Sequence, residues 1–114
     1  MQKLRIILLF LFISSIILIG CDINEKEYEY EEITINVITG DYNLPGILTL
    51  PISNKKVPAV VFVHGSGAND MHETVGKLRL FEDLAKKLAV KGIASIRYDK
   101  RSYIYANELV NDLS

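Results

Sequence analysis

A turn flanked by glycines is the segment of this sequence best suited to chemistry. His64-Gly65-Ser66-Gly67 follows directly on the apolar run from Ala59 to Val63. Glycines on both sides of Ser66 permit positive φ angles and close backbone approach, so the neighbouring N–H groups can point together into a cleft. Amides arranged in this way stabilise a negative charge that develops during a reaction.

A strand, a helix and a second strand are predicted to position this turn. Residues 59–63 are apolar and rich in β-branched side chains, which favours a strand covered on both faces in a mostly parallel sheet. An amphipathic helix follows and ends at Gly92, and Ile93 to Tyr98 forms the next strand. The core-facing stripe of the helix consists of Leu78, Phe81, Leu84, Ala85 and Leu88. Short joints make this a right-handed crossover, so both strands end on the side of the sheet where ligands bind.

Two further strands are predicted before the crossover. Ile33 to Ile38 alternates apolar and polar residues, and Leu44 to Leu50 follows after a turn. Pro45 and Gly46 restrict the start of the second strand to a sheet edge or a bulge. The predicted fold class is therefore α/β, with an antiparallel hairpin and one parallel βαβ crossover.

The first twenty residues have the composition of a secretory signal. Lys3 and Arg5 precede an apolar run that is shorter than the about 20 residues needed to span a bilayer. The run ends Leu18-Ile19-Gly20-Cys21, which resembles the bacterial lipobox, where the cysteine carries diacylglycerol after cleavage. We therefore expect a signal helix over residues 1–20 and a lipoprotein anchored through Cys21 on the outer side of the cytoplasmic membrane. The alternative is an uncleaved signal anchor.

Residues 21–32 are predicted to form an acidic tether behind this lipid. Lys26 is the one basic residue in this segment, so a solvated run would keep a domain clear of anionic headgroups. Tyr28 and Tyr30 alternate with glutamates, so the end of the run could instead begin the first strand. Residues 33–114 then form the domain, and the acidic balance indicates no nucleic-acid partner.

The segment from Ile33 to Tyr103 resembles the amino-terminal part of an α/β-hydrolase, most of all the bacterial esterase, dienelactone-hydrolase and acyl-peptidase-like branch. The resemblance is carried by Val-Phe-Val-His-Gly-Ser-Gly, the helix, and Gly-Ile-Ala-Ser-Ile-Arg-Tyr-Asp-Lys-Arg. In that family the turn after the third strand supplies one oxyanion-hole N–H, and the residue after the nucleophile supplies the other. The resemblance implies that the donor here is the amide of Ser66 or Gly67, and that His64 and Gly65 shape the substrate loop. It also implies hydrolysis of an ester or peptide bond, with no cofactor.

The catalytic triad of that family is not found in this sequence. The nucleophile of that family is the serine of a Gly-x-Ser-x-Gly motif, and no such motif surrounds Ser66, Ser95 or Ser102. His64 and His72 precede the place of the nucleophile, whereas the family's base follows it. We therefore expect this chain to be the amino-terminal portion of a serine hydrolase and to be inactive alone. A full-length relative would cleave a small ester or peptide substrate.

Two functions of other classes stay open. Gly65-x-Gly67 between a strand and a helix could open a dinucleotide-binding fold, although Asp70 takes the place of the third glycine. The chain could instead be a non-catalytic, surface-anchored module that pairs through an exposed sheet edge, because an incomplete sheet leaves such an edge unpaired.

The remaining polar residues have simpler interpretations. His72 has no second ligand at metal spacing, so no metal site is predicted. The charged residues after the second crossover strand are expected to stabilise the backbone at the strand end through local ion pairs rather than to contact substrate; they are Asp99, Lys100 and Arg101.

Overall fold

The computed structural model describes residues 25–111, with side chains through Glu108. The predicted signal peptide, Cys21 and the first residues of the tether lie outside this range. The strands are β1 Tyr30–Thr39, β2 Tyr42–Pro51, β3 Ala59–Val61, β4 Thr74–Val75, β5 Leu78–Arg79 and β6 Ala94–Tyr98. The helices are α1 Leu80–Val90, α2 Arg101–Ile104 and α3 Ala106–Asn111. No helix within the described range is long and apolar enough to cross a membrane.

A mixed four-stranded sheet in the order β1-β2-β6-β3 forms the centre of the fold. The predicted hairpin is confirmed: β1 and β2 are antiparallel from the Tyr30–Pro51 pair to the Thr39–Tyr42 pair. The first strand begins at Tyr30, so the end of the acidic run belongs to the sheet, as the alternative interpretation allowed.

The start of the second strand is an edge on the side of β6, as Pro45 and Gly46 predicted: residues 42–45 are in the ladder with β1 alone, and the ladder with β6 runs from Gly46 to Thr49. The carbonyl of Pro45 accepts a hydrogen bond from the Asp99 amide at 2.8 Å, which lies beyond the end of β6. The proline nitrogen, which has no hydrogen, is on the same side of the strand. Pro45 can therefore accept a hydrogen bond from Asp99 but cannot donate one in return, and the ladder with β6 starts at the next residue, Gly46.

The predicted crossover is confirmed. β3 pairs with β6 in parallel, and Ala59 is opposite Ala94. β3 is shorter than predicted and ends at Val61, although the Phe62 amide still donates to the Ile96 carbonyl at 2.9 Å.

β3 is not covered on both faces, which corrects the prediction for this strand. Phe62 stacks on Phe81 of α1 with ring centroids 4.9 Å apart, so its neighbours Val61 and Val63 lie on the opposite face. Their exposed fractions are 58% and 74%. Helix α1 packs on the face of the sheet that carries Phe62, and no described element covers Val61 and Val63 on the opposite face.

Helix α1 begins two residues later than the predicted stripe. Leu78 belongs to the small β4–β5 hairpin, which was not predicted, and both Leu78 and Leu84 are exposed. The buried helix residues are Ala85 and Ala89, so small side chains let the helix lie close to the sheet. The predicted stop is confirmed by Gly92, whose φ is 81° and whose amide donates to the Ala89 carbonyl at 2.9 Å.

The acidic segment is attached to the carboxyl end of α1. The Tyr28 amide donates to the Val90 carbonyl at 2.9 Å, and Lys91 forms an ion pair with Glu25. This attachment satisfies one of the helix carbonyls that would otherwise lack a donor.

A buried arginine links three strands beneath α1. Arg97 of β6 is 1% exposed, and its guanidinium lies 2.7 Å from the hydroxyl of Thr49 on β2 and 2.7 Å from the carboxylate of Glu32 on β1. This network could not be predicted from the sequence, because a single charged residue in an otherwise apolar strand does not indicate its partners. A buried charge is retained at low cost only when it is paired and hydrogen-bonded.

Replacing Glu32 by alanine should destabilise the fold by about 2 kcal/mol. The loss of one partner of a buried pair costs about 3 to 5 kcal/mol, and the partial exposure of Glu32 reduces that value. Urea denaturation of Glu32→Ala measures the change. Glu31→Ala, which alters the neighbouring exposed carboxylate, should change the free energy of unfolding by less than about 0.5 kcal/mol. Equal losses in the two variants would contradict a specific role for the pair.

Candidate functional site

The glycine-flanked turn lies where the parallel strands end. His64 to Gly67 follows β3, and Asp99 to Ser102 follows the adjacent strand β6. The chain bends at Ser66 and Gly67, and Gly67 has a φ of 96°, a conformation that L residues rarely adopt. The bend after β3 therefore requires glycine at position 67.

The segment after β6 holds this turn by hydrogen bonds to its backbone. Lys100 Nζ donates to the Gly65 carbonyl at 2.6 Å, and Ser102 Oγ donates to the Gly67 carbonyl at 3.2 Å. Asp99 Oδ1 accepts from the Met71 amide at 2.6 Å, further along the same loop. These residues do not form the expected local ion pairs within the described range: Asp99 and Lys100 contact the loop after β3, and Arg101 lies over the Tyr42 ring.

The amides of the turn are left without acceptors. Among the described residues, none accepts a hydrogen bond from the N–H groups of Ser66, Gly67 or Ala68. The Ser66 carbonyl accepts from Asn69 Nδ2 at 3.3 Å. The turn thus presents bonded carbonyls and unbonded amides, which is the polarity that an anion requires. The assignment of Ser66 and Gly67 as oxyanion donors remains a prediction.

His64 is fixed by contacts on several sides. Its Nε2 lies 2.8 Å from the Asp70 carbonyl oxygen, so Nε2 carries the proton and Nδ1 is the acceptor nitrogen in the neutral ring. The ring packs against Phe81 and Tyr98, with centroid distances of 5.2 and 5.5 Å. This histidine makes no hydrogen bond to Ser66, which argues against Ser66 as an activated nucleophile.

Asp70 organises the loop that follows the turn. Its carboxylate accepts hydrogen bonds from the Thr74 hydroxyl at 2.6 Å, the Thr74 amide at 3.0 Å and the His72 amide at 3.2 Å. Burial raises the pKa of Asp70, but these hydrogen bonds outweigh it and hold the pKa below its ordinary value. Within the same loop, Glu73 has a φ of 49°, an unusual value for a residue other than glycine.

His72 belongs to a charged cluster at the start of α1. Its Nδ1 lies 3.3 Å from Glu82 Oε2, and Glu82 also pairs with Arg79 at 2.7 Å and with Lys86 at 2.5 Å. Burial, followed by the charge of Arg79, lowers the pKa of His72 despite the nearby Glu82 carboxylate. In residues 25–111 no group of three acidic, histidine or cysteine side chains is placed to hold a metal ion.

A cleft of about 460 Å³ opens at the same edge of the sheet. Its lining residues are Val37, Thr39, Leu44, Val61, Tyr98, Lys100 and Arg101. The walls are mostly apolar and the cations follow β6. Lys100 thus belongs both to the cleft and to the contacts that hold the turn, so the cleft and the turn are neighbours.

The arrangement does not favour dinucleotide binding. A pyrophosphate site needs a helix that starts at the glycine turn, whereas residues 68–79 separate Gly67 from α1 and include the β4–β5 hairpin. The lowered pKa of Asp70 keeps a negative charge in the loop where the phosphates would lie.

Sequence reasoning missed the residues that hold the turn. Lys100, Ser102 and Asn69 were not predicted to contact it. The position of Lys100 and Ser102 in the sequence could have indicated these contacts. Both residues follow β6 closely, and because β6 is parallel to β3, the carboxyl ends of the two strands lie side by side.

Similarity to known proteins points in the same direction. No protein-family model matches the chain, and no solved structure matches it. Esterase EstD of Thermotoga maritima is 43% identical over 82 residues, which cover 72% of this chain and 18% of EstD. The similarity supports an esterase-like hydrolase relationship. The chain spans less than a fifth of the length of that relative.

Acidification should reveal the contribution of Asp70 to stability. A pKa below the ordinary value means that the stabilisation is complete above the unfolded pKa of about 3.9 and is lost as the pH falls through the folded pKa. Thr74→Val removes one of the hydrogen bonds, so this variant should be less stable at neutral pH and should lose less stability on acidification. Thermal unfolding between pH 7 and pH 2 measures both.

Thr34→Val is the control for this experiment, because Thr34 lies on β1 and makes no contact with Asp70. Its pH dependence should match that of the unmodified chain. An unchanged pH dependence in Thr74→Val would show that the hydrogen bond does not hold the carboxylate.

Proposed function

We propose that this chain is the amino-terminal portion of a serine α/β-hydrolase of the dienelactone-hydrolase, esterase and acyl-peptidase-like branch, which cleaves ester or peptide bonds. The observation that carries the proposal is the turn at the end of β3, whose amides have no acceptor among the described residues. The similarity to an esterase supports the same reaction class.

The proposed role of the turn is to stabilise an oxyanion. When a nucleophile attacks the carbonyl carbon of an ester, the carbonyl oxygen becomes negative, and the amide of Ser66 or Gly67 donates a hydrogen bond to it. One such donor contributes about 2.7 to 4 kcal/mol of transition-state stabilisation. The bond is useful because the turn is already fixed before the charge develops.

The serines of the described fold do not supply the attacking group. Ser95 is fully buried under α1, and the Ser102 hydroxyl donates to the Gly67 carbonyl. Ser66 is exposed but has no base beside it, because His64 bonds to the Asp70 carbonyl instead. We therefore propose that the chain is inactive alone.

The cleft suggests a small substrate with an apolar part. Val37, Leu44 and Val61 provide apolar walls, and Arg101 lies over the Tyr42 ring with its charge at the rim. An apolar acyl group would fit between the walls while its carbonyl approaches the turn. The turn itself would bind only the carbonyl oxygen of the ester or peptide bond.

A second candidate function, a surface-anchored binding module, is favoured by a different observation. The edge strand β3 has no neighbour on its outer side within residues 25–111, and Val61 at its end and Val63 just after it are exposed. Unpaired edges of this kind can accept a further strand from another polypeptide. This function requires no chemistry at the turn.

Grafting the chain into its relative tests the hydrolase proposal. Replacing the matching segment of EstD by that of this chain should give an enzyme that hydrolyses p-nitrophenyl butyrate. Gly67→Ala in the graft should lower kcat about 100-fold, the effect of losing one oxyanion donor, because alanine is strained at the φ of 96°. A Cβ there would have its nearest contact at 3.9 Å, so conformation rather than crowding is tested.

Two variants serve as controls in the graft. Gly65→Ala adds a Cβ with no atom within 4 Å and should retain full activity. Ser66→Ala keeps the amide and should retain activity within about twofold. The ungrafted full chain should show no turnover. Full activity of Gly67→Ala would end the oxyanion role, and turnover by the full chain that Ser66→Ala abolishes would make Ser66 the nucleophile.

We also propose that the protein is exported as a lipoprotein and held at the outer side of the cytoplasmic membrane by Cys21. The amino-terminal pattern of Lys3, Arg5, an apolar run and a single cysteine supports this location. Cells grown with radioactive palmitate should incorporate label into the chain, whereas Cys21→Ser should incorporate none. Equal labelling of the two would place the lipid elsewhere, and absence of label from both would favour an uncleaved signal anchor.

A further inference from the structure

We propose that Lys100 is the main positioning residue of the oxyanion turn, assisted by Ser102 and Asn69. The inference rests on the proposed function and adds the groups that aim the amides. Each of the three side chains donates a hydrogen bond to one of three consecutive carbonyls, those of Gly65, Ser66 and Gly67.

Because the peptide unit is planar, a hydrogen bond that holds a carbonyl also fixes the direction of the next N–H group. In a trans peptide unit, the carbonyl of one residue and the N–H of the next point in opposite directions. No cis peptide bond occurs among the described residues. Lys100, by holding the Gly65 carbonyl, therefore directs the Ser66 amide to the opposite side of that peptide plane.

The same geometry applies to the next two peptide planes. Asn69 Nδ2 holds the Ser66 carbonyl and so orients the Gly67 amide, and Ser102 Oγ holds the Gly67 carbonyl and so orients the Ala68 amide. Each of these three carbonyls has a donor, and each following amide is free of acceptors among the described residues.

Lys100 should contribute most of the three. Its hydrogen bond is charged and short at 2.6 Å, whereas the bonds from Ser102 and Asn69 are neutral and measure 3.2 and 3.3 Å. Rotation of the Gly65–Ser66 plane would leave the ammonium without this acceptor. A peptide plane next to a glycine needs such a restraint, because glycine allows many backbone conformations.

The backbone of Lys100 is itself fixed. Its amide donates to the Asn69 carbonyl at 3.1 Å, and its carbonyl accepts from the Tyr103 amide at 2.8 Å. Asp99 holds the Met71 amide one residue earlier. The lysine thus starts from the end of β6 and a turn of helix, and its side chain bridges to the end of β3.

Nuclear magnetic resonance of the isotopically labelled full chain tests this inference without requiring turnover. Residual dipolar couplings report the orientation of each N–H vector at Ser66, Gly67 and Ala68. Phenylphosphonate serves as the tetrahedral anion probe, and its binding is followed at the same amides. Lys100→Met removes the donor, Lys100→Arg preserves a charged donor, and Lys87→Met removes a charge from the exposed face of α1.

Lys100→Met should change the Ser66 coupling, leave the couplings of β6 intact and raise the apparent Kd for phenylphosphonate about tenfold, the value expected for one charged hydrogen bond. Lys100→Arg should restore most of the affinity, and Lys87→Met should stay within twofold of the unmodified chain. An unchanged Ser66 coupling in Lys100→Met would overturn the inference, as would equal weakening by Lys100→Met and Lys87→Met.

Failure of the proposed function is a separate outcome. If the unmodified chain shows no saturable shift with phenylphosphonate at Ser66 and Gly67, the oxyanion role is wrong. The dipolar couplings still decide whether Lys100 orients the Gly65–Ser66 peptide plane. Should Lys100→Met unfold, loss of the β6 couplings will show it, and Ser102→Ala then tests the same geometry at Ala68, where an unchanged coupling would contradict the inference.

Discussion

The parallel pairing of β3 with β6 is the constraint on which the rest of the candidate site depends. Three residue pairs, from Ala59–Ala94 to Val61–Ile96, bring the ends of two strands to one edge. Because of this pairing, groups that are about 35 residues apart in sequence, such as Lys100 and Gly65, are hydrogen-bonded. On the other side of β6, the buried Arg97 joins this strand to β2 and β1 through Thr49 and Glu32.

Much of the fold could be predicted because its signals are local. The alternation from Ile33 to Ile38 and the glycine at position 92 each specify an element through the chain geometry of a few residues. The contacts of Arg97 and Lys100 could not be predicted, because a charged side chain within or after a strand gives no periodic signal. What such a side chain contacts is decided by strand order, which the sequence pattern leaves open.

The errors in the predicted core have one physical source. Leu78, Leu84 and the valines at 61 and 63 have the composition of buried positions, yet they are exposed in this chain. Hydrophobic patterning shows that a side chain is suited to burial; it does not show which polypeptide covers it.

The attachment of Tyr28 to the end of α1 determines how the domain would stand on a membrane. Tyr28, the start of β1 and the carboxyl end of α1 share one edge of the sheet, and the turn at Gly65 to Gly67 lies at the opposite edge. With the lipid at Cys21 proposed above, only a handful of residues separate the bilayer from this docked segment. The end of the sheet that carries the proposed oxyanion turn would then face the surrounding medium, so ligands would arrive from the aqueous phase rather than by lateral diffusion through lipid.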